Sequence, residues 1–274
     1  MTFTPREGSL GRPRWIDTPA YPAAAQAVPD THVDAGSYLV RYARNPDDLD
    51  GILRLRYQVF NVELGEGLDE SHHTQRDEDE LDARFHHLMI MSRDDGQVVG
   101  TYRMQTAEMA RDNGGFYSDH EYDLSALPAS VVARSVEIGR ACVAREHRNG
   151  RVLHLLWRGL AAYLTWNHKD VLFGCCSVTT QDPALGLSVH RHLEAAGAVH
   201  PTLRVTPRPQ CRCEPSVEAA LPPPHVPALF QTYLGLGAKV MGPPAIDRRF
   251  KTIDWLVILD TSAIAPSTRR VFFR

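Results

Sequence analysis

A chain of 274 residues with 43% hydrophobic side chains is long enough to bury one large core or two small ones. Its 30 Lys and Arg stand against 33 Asp and Glu, a net charge of −3, which excludes a global attraction to nucleic acid or anionic lipid and makes any cationic site local. Five cysteines, an odd number with no secretory leader read before them, do not suggest a disulfide framework and point to the cytoplasm. No run reaches the roughly 18–20 apolar residues of a spanning helix, so contact with the inner membrane is expected to be peripheral at most.

Residues 1–36 are rich in Pro, Ala, Gly and Thr without periodicity and read as a flexible leader, with a folded domain over 37–274. Alternation over 38–42 predicts a strand. Pro46 then sits at the start of a helix predicted to run to about residue 62. An acidic loop at 69–82 leads to a hairpin of strands at 87–92 and 98–105 around the turn Asp94, Asp95, Gly96. A further strand covers 135–143 and an amphipathic helix follows, with Leu153, Leu156, Leu160 and Leu164 at helical spacing. The apolar run 171–178 is expected to pair in parallel with the strand before that helix. A helix at 185–196, a proline-rich excursion at 201–224, a helix at 226–236 and a last strand at 255–259 complete a C-terminal extension from about residue 200.

The junction at 143–152 carries the most information. A strand that ends in Arg145, His147, Arg148, Asn149, Gly150 and Arg151 and feeds directly into a helix brings free backbone amides, a positive dipole end and cationic side chains to one point. A phosphate-bearing ligand is expected to dock there.

The order hairpin, strand, basic turn, helix, strand resembles the GNAT acyltransferases, an α/β fold with a mixed central sheet and flanking helices. Within them the chain is similar to the ornithine-lipid type N-acyltransferases and the N-acyl amino acid synthases, and more distantly to acyl-homoserine-lactone synthases. The matching segments are Leu55-Arg-Tyr-Gln-Val-Phe60 with Glu63, Asp79 and Asp82 before His87-Leu-Met-Ile90, and Val99-Gly-Thr-Tyr-Arg103. They continue with Phe116-Tyr117 and Glu121-Tyr122-Asp123-Leu124, Glu137-Ile-Gly-Arg140 with Val143, Leu155-Leu-Trp-Arg-Gly159, Phe173-Gly-Cys-Cys-Ser177 with Asp182-Pro183, and residues 247–254. Three positions depart from the pattern. Arg151 and Leu153 stand where acetyl-CoA users have glycines, and His86 replaces an Asp.

The resemblance implies transfer of a long-chain, plain or 3-hydroxy, acyl group from acyl carrier protein to the α-amine of an amino acid, giving a lyso-aminolipid, with no tightly bound cofactor. Glu137 is expected to hold the amine and take its proton, or else to pair with Arg140 or Arg103 in the core. Arg140 and Arg103 would tether a carboxylate. Arg56, Phe60, Asp79, Asp82, Phe116, Tyr117, Val143, Phe173 and Ser177 are the candidate acyl and acceptor contacts, with Asp79 and Asp82 orienting the acceptor or neighbouring arginines, or else lying in a solvated acidic loop. Arg145, Arg148, Gly150 and Arg151 would receive the carrier's phosphopantetheine, because a crowded Arg151 suits a carrier arm better than a compact pyrophosphate. Cys175-Cys176 and Cys211-Arg-Cys213 do not have the spacing of a known metal site, and none is assigned. The rival readings are an acyl-homoserine-lactone synthase, a non-catalytic acyl-carrier binding module and a small-molecule acetyltransferase using acetyl-CoA.

Overall fold

The computed structural model describes residues 21–214 and 226–273. Strand β1 (Val33–Asp34) pairs with β2 (Tyr38–Tyr42), whose Tyr38, Val40 and Tyr42 are buried in alternation, as the period of a strand requires. Helix α1 (Pro46–Tyr57) begins where the Asn45 side chain accepts the Asp48 N–H, with Pro46 in the first turn and Asp47 and Asp48 facing the positive dipole end. Beyond Tyr57 the chain widens into a π-helix over Gln58–Glu63, so the predicted helix changes its hydrogen-bond pattern before it ends.

Strands β3 (His86–Ser92) and β4 (Val98–Thr106) form the expected hairpin. Strand β5 (Ser135–Val143), helix α2 (Arg151–Trp166) and strand β6 (Val171–Val178) then make the crossover, and β5 and β6 are parallel. Helices α3 (Pro183–Ala195) and α4 (Ala228–Gly235), strands β7 (Lys239–Val240), β8 (Ala245–Asp247) and β9 (Thr252–Asp260), and helix α5 (Pro266–Phe272) follow. The sheet order is β1-β2-β3-β4-β5-β6-β9-β8, with β7 also against β9. Among the described residues β5 and β6 are the only two of these strands that pair with each other in parallel, a single parallel bridge of Val199 to Val240 aside.

The main core lies between the sheet and helices α2 and α4, where Leu156, Leu160, Tyr102, Leu172, Phe230 and Trp255 are buried. Each such side chain contributes about 1.5–3 kcal/mol. A smaller cluster with Tyr122, Phe173 and Leu256 covers the opposite face.

The leader expected over 1–36 is corrected for its second half; residues 1–20 lie outside the described residues. Val28 is buried, the Tyr21 hydroxyl meets His87 Nδ1 at 2.9 Å, and the carbonyls of Ala23, Gln26 and Ala27 meet side chains of His86, Trp166 and Asn167. The segment lacks periodicity because, apart from a single turn at Ala25–Ala27 and the two-residue β1, domain side chains take up its backbone groups. His86, the departure from the family pattern, is thereby a buried bracket between Ala23 and the Tyr163 hydroxyl, 2.7 Å from each. Burial pushes its pKa down to about 4.

Candidate functional site

Strands β5 and β6 pair only from Ser135 opposite Val171 to Glu137 opposite Phe173. Past that point they diverge. Gly174 marks the fork, since a Cβ there would stand 2.0 Å from the Ile138 carbonyl oxygen. On its other edge β5 carries a bulge, in which Arg103 faces Gly139 and Thr101 faces Cys142, so Arg140 and Ala141 together oppose Tyr102. Arg140 takes φ 47°, a conformation that costs a non-glycine residue and that persists where surrounding structure imposes it.

A cavity of about 440 Å³ runs through this fork. On the α2 and α4 face its wall is apolar, with Tyr102, Trp157, Leu172, Phe230, Tyr233 and Val257. The Tyr102 and Tyr233 hydroxyls bond to each other, which satisfies both inside that wall. On the opposite face the wall is polar and carries Glu66, Tyr117, Arg140, Thr179, Asp247 and Asp254.

Behind the polar wall lies a buried ion network. Arg56 reaches Asp77 at 2.7 Å and Asp82 at 2.6 Å; Arg103 reaches Asp79 at 2.7 Å and Asp82 at 3.0 Å; Arg140 reaches Asp77 at 3.3 Å and Asp79 at 3.5 Å. Three arginines meet three aspartates, so the charges cancel in place. Burial raises the Asp82 carboxyl, yet Arg56, Arg103 and His87 outweigh it and hold it well below the usual carboxylate range. Arg56, Asp79 and Asp82, expected at the acyl or acceptor site, do not reach the cavity; they fix Arg103 and Arg140, which do.

Glu137 lines the cavity, but its carboxylate accepts four hydrogen bonds, from Gln105 Nε2 (2.8 Å), Tyr117 N–H (2.8 Å), Ser118 N–H (2.8 Å) and Ser118 Oγ (2.6 Å). A carboxylate so filled has little capacity left for an incoming amine. The expected pairing of Glu137 with Arg103 or Arg140 is also replaced, since both arginines take aspartates. What Glu137 holds is the turn Tyr117–His120, and with it the Tyr117 ring, which lies 5.0 Å from the Arg103 guanidinium and 5.1 Å from that of Arg140.

Among the other expected contacts, Phe60, Tyr117, Phe173 and Ser177 line the cavity. Phe116 packs behind Phe173, ring centroids 4.9 Å apart, and Val143 lies beyond the lining, because the bulge has already turned its part of β5 away.

The acids of the polar wall were not singled out from sequence. Asp254 on β9 stands opposite Ser177 on β6 and is 4% exposed, and its Oδ1 has no hydrogen-bond partner among the described residues. Burial and the neighbouring Asp247 push its pKa up to about 6. Burial, then Asp254 and Asp247, raise Glu121 well above the carboxylate range. Glu66 accepts from Thr179 Oγ1 and is raised by burial, with Asp254 adding to the rise and Arg140 opposing it. Asp247 Oδ1 closes a turn on the Arg249 and Phe250 amides, both at 2.8 Å. Asp254 could have been noticed as one acid within an otherwise apolar run, an arrangement that is costly without a purpose.

At the basic turn Gly150 takes φ 81° at the N-cap of α2 and has no side chain to cap with, while Asn149 Oδ1 accepts the Arg151 N–H at 3.1 Å. Arg148 is paired with Glu63 at 2.5 Å, Arg151 donates to the Ala35 carbonyl at 2.5 Å and lies over the Tyr38 ring, and Arg145 is exposed. The expected cluster of three unanswered arginines is thus partly answered from within, Arg148 by an acid and Arg151 by a carbonyl and a ring.

A mixed sheet forked between parallel strands, a bulge beside the fork and a helix N-terminus at its mouth define an acyltransferase of the GNAT class. The family model described as acetyltransferase (GNAT) domain matches residues 55–158. An L-ornithine Nα-acyltransferase of Rhodobacter capsulatus is 33% identical over 249 residues, covering 87% of this chain and 95% of that protein. The enzyme of the same name from Agrobacterium fabrum is 32% identical, covering 84% and 83%. This chain belongs to the L-ornithine Nα-acyltransferase family. Among solved structures, FeeM, an N-acyl amino acid synthase from uncultured soil microbes, shares 11% identity and a TM-score of 0.47 over 83% of this chain and 94% of that one.

Proposed function

We propose that this protein moves a long-chain acyl group, plain or 3-hydroxylated, from acyl carrier protein to the α-amine of ornithine, yielding a lyso-aminolipid. The observation that carries the reading is the cavity through the sheet, apolar on one face and acid-lined on the other, with the fork between. A fatty chain fits the apolar half, where each buried methylene contributes about 0.8 kcal/mol. The pantetheine arm lies along the diverging strands, whose backbone groups past Glu137 and Phe173 no longer pair with each other and can pair with its amides. Its phosphate reaches the N-terminus of α2, and the carrier's acidic surface faces Arg145 and its neighbours.

The thioester carbonyl then sits by the bulge at Arg140, where unpaired backbone N–H groups stabilise the oxyanion. The amine enters from the polar half and attacks. The C–N bond forms, the C–S bond breaks, Glu66 takes the amine's proton, and Tyr117 gives its hydroxyl proton to the leaving sulfur. Burial, against the opposing effect of Arg140, keeps Tyr117 protonated by raising its pKa. Glu137 acts by positioning Tyr117. Incubating the purified protein with long-chain acyl carrier protein and a panel of amino acids, followed by mass spectrometry, tests this: ornithine should gain the acyl mass on its α-nitrogen. Equal turnover of acetyl-CoA without chain-length preference would overturn it in favour of a small-molecule acetyltransferase, and a lactone formed with S-adenosylmethionine would favour the homoserine-lactone reading.

A further inference from the structure

We propose that Asp254, flanked by Glu66 and Asp247, is the receptor for the second, non-reacting ammonium group of a diamino-acid acceptor, and so sets which amine this enzyme accepts. The proposal deepens the acyl-transfer reading and rests on it for the identity of the cavity.

Asp254 belongs to β9, an otherwise apolar strand whose Ile253, Trp255, Leu256 and Val257 are all buried. Its side chain is 96% removed from solvent and lines the cavity; Ser177, Thr252 and Glu121 offer it neutral hydrogen bonds that pull its pKa down, while Oδ1 keeps no hydrogen-bond partner among the described residues. A buried carboxylate oxygen with no donor is costly, and an ammonium group, with three donors and a compensating charge, is its natural partner. The surroundings supply no such cation. Glu66, Asp247 and Glu121 are all acids, and Arg140, the cation nearest this wall, is already committed to Asp77 and Asp79.

Glu66, Asp247 and Asp254 line the same cavity as Arg140, and Glu66 feels the charges of both Arg140 and Asp254. An acceptor whose α-amine stands at the bulge extends its side chain along this acid-lined wall to Asp254. A side chain that ends in a cation is held there; one that ends in a methyl leaves the carboxylate unanswered, and a site built for a polar group rejects such an analogue strongly.

The test is calorimetric titration of the full-length protein, without acyl donor, with L-ornithine and with L-norvaline, which has the same carbon skeleton and no δ-amine. Ornithine is expected to bind about 100-fold more tightly or better, and Asp254→Asn to bring it within about tenfold of norvaline while norvaline's own affinity is unchanged. Should that variant fail to fold, Asp247→Asn carries the same comparison, with an expected loss of about tenfold for ornithine alone. An ornithine affinity within threefold of the unsubstituted protein, an equal loss for both ligands, or no ornithine binding by the unsubstituted protein would overturn the proposal. So would a stoichiometric metal ion carried by the purified protein and lost in Asp254→Asn, because Glu121, Cys175 and Asp254 bring ligand-type atoms within 4.8 Å of one another. Failure of acyl transfer with every donor and amine, beside a retained preference for ornithine over norvaline, would sink the acyl-transfer reading and leave this one standing.

Discussion

Asp254 loses solvation on folding and gains no cation, so its proton is held more tightly in the folded chain than in the unfolded one. Facing it are Glu66, Glu121, Asp247, the Cys175 thiol and the Ser177 and Thr252 hydroxyls; hydrogen bonds from Ser177, Thr252 and Glu121 lower its pKa, but burial and Asp247 outweigh them. A raised folded-state pKa contributes stability that is complete below the unfolded value near 3.8 and is lost as pH rises to about 6. Urea denaturation across that window should therefore show wild-type stability falling, and Asp254→Asn should flatten the fall and gain about 1–3 kcal/mol at pH 7.5 with little change at pH 4. Arg56 predicts the opposite sign. It is fully buried between Asp77 and Asp82, and Arg56→Met, which keeps the volume and removes the charge, should cost about 3–5 kcal/mol in the same assay because three buried carboxylates are then left with two arginines. For Glu137 the informative variant is Glu137→Gln. If the carboxylate positions Tyr117 through its backbone, kcat should fall about tenfold to a hundredfold with the pH–rate profile in place; loss of the profile's acidic limb would restore Glu137 as the base. Sequence showed that Glu137, Arg103 and Arg140 belong near one another, since the strands that carry them were legible. It offered Asp79 and Asp82 as partners of neighbouring arginines, but it did not name Asp77 or decide which arginine each acid takes, because all three come from an irregular loop whose path has no period to read.

Between β5 and β6 a single residue decides where the sheet opens. Gly174 lets β6 pass under the Ile138 carbonyl, and Gly174→Ala forces one strand to move. The expected cost is about 1–3 kcal/mol in stability, together with a fall in activity that is steeper for long acyl chains than for short ones, measured as kcat/KM across a chain-length series. An equal fall at all lengths would mean that the fork does not shape the acyl path. Elements with a strong period were readable in advance: β5, α2 and β6 lie where alternation, helical spacing and a continuous apolar run placed them. The π-helix at Gln58–Glu63 and the bulge at Arg140 were not, since each alters hydrogen bonding without altering the pattern of apolar residues. The packed stretch from Tyr21 to residue 36 escaped for a related reason: its order comes from contacts with side chains distant in sequence, His86, His87, Trp166 and Asn167.

At the scale of the whole molecule a net charge of −3 means that an acidic carrier is not drawn to the protein as a body, so docking depends on the local field at the mouth of the fork. Within that field the arginines differ. Arg148 is answered by Glu63 and Arg151 by the Ala35 carbonyl and the Tyr38 ring, whereas Arg145 is exposed on the turn that precedes α2. Arg145→Glu should therefore raise KM for long-chain acyl carrier protein about tenfold with kcat nearly unchanged, and should weaken the salt dependence of kcat/KM, since exposed charges act over about a Debye length, roughly 8–10 Å near physiological ionic strength. The same variant should leave KM for an acyl-pantetheine lacking the carrier unchanged, because that donor meets the fork and not the carrier's surface. A matched loss with both donors would place Arg145 inside the arm's binding path, and no loss with either would move carrier docking to another face of the protein.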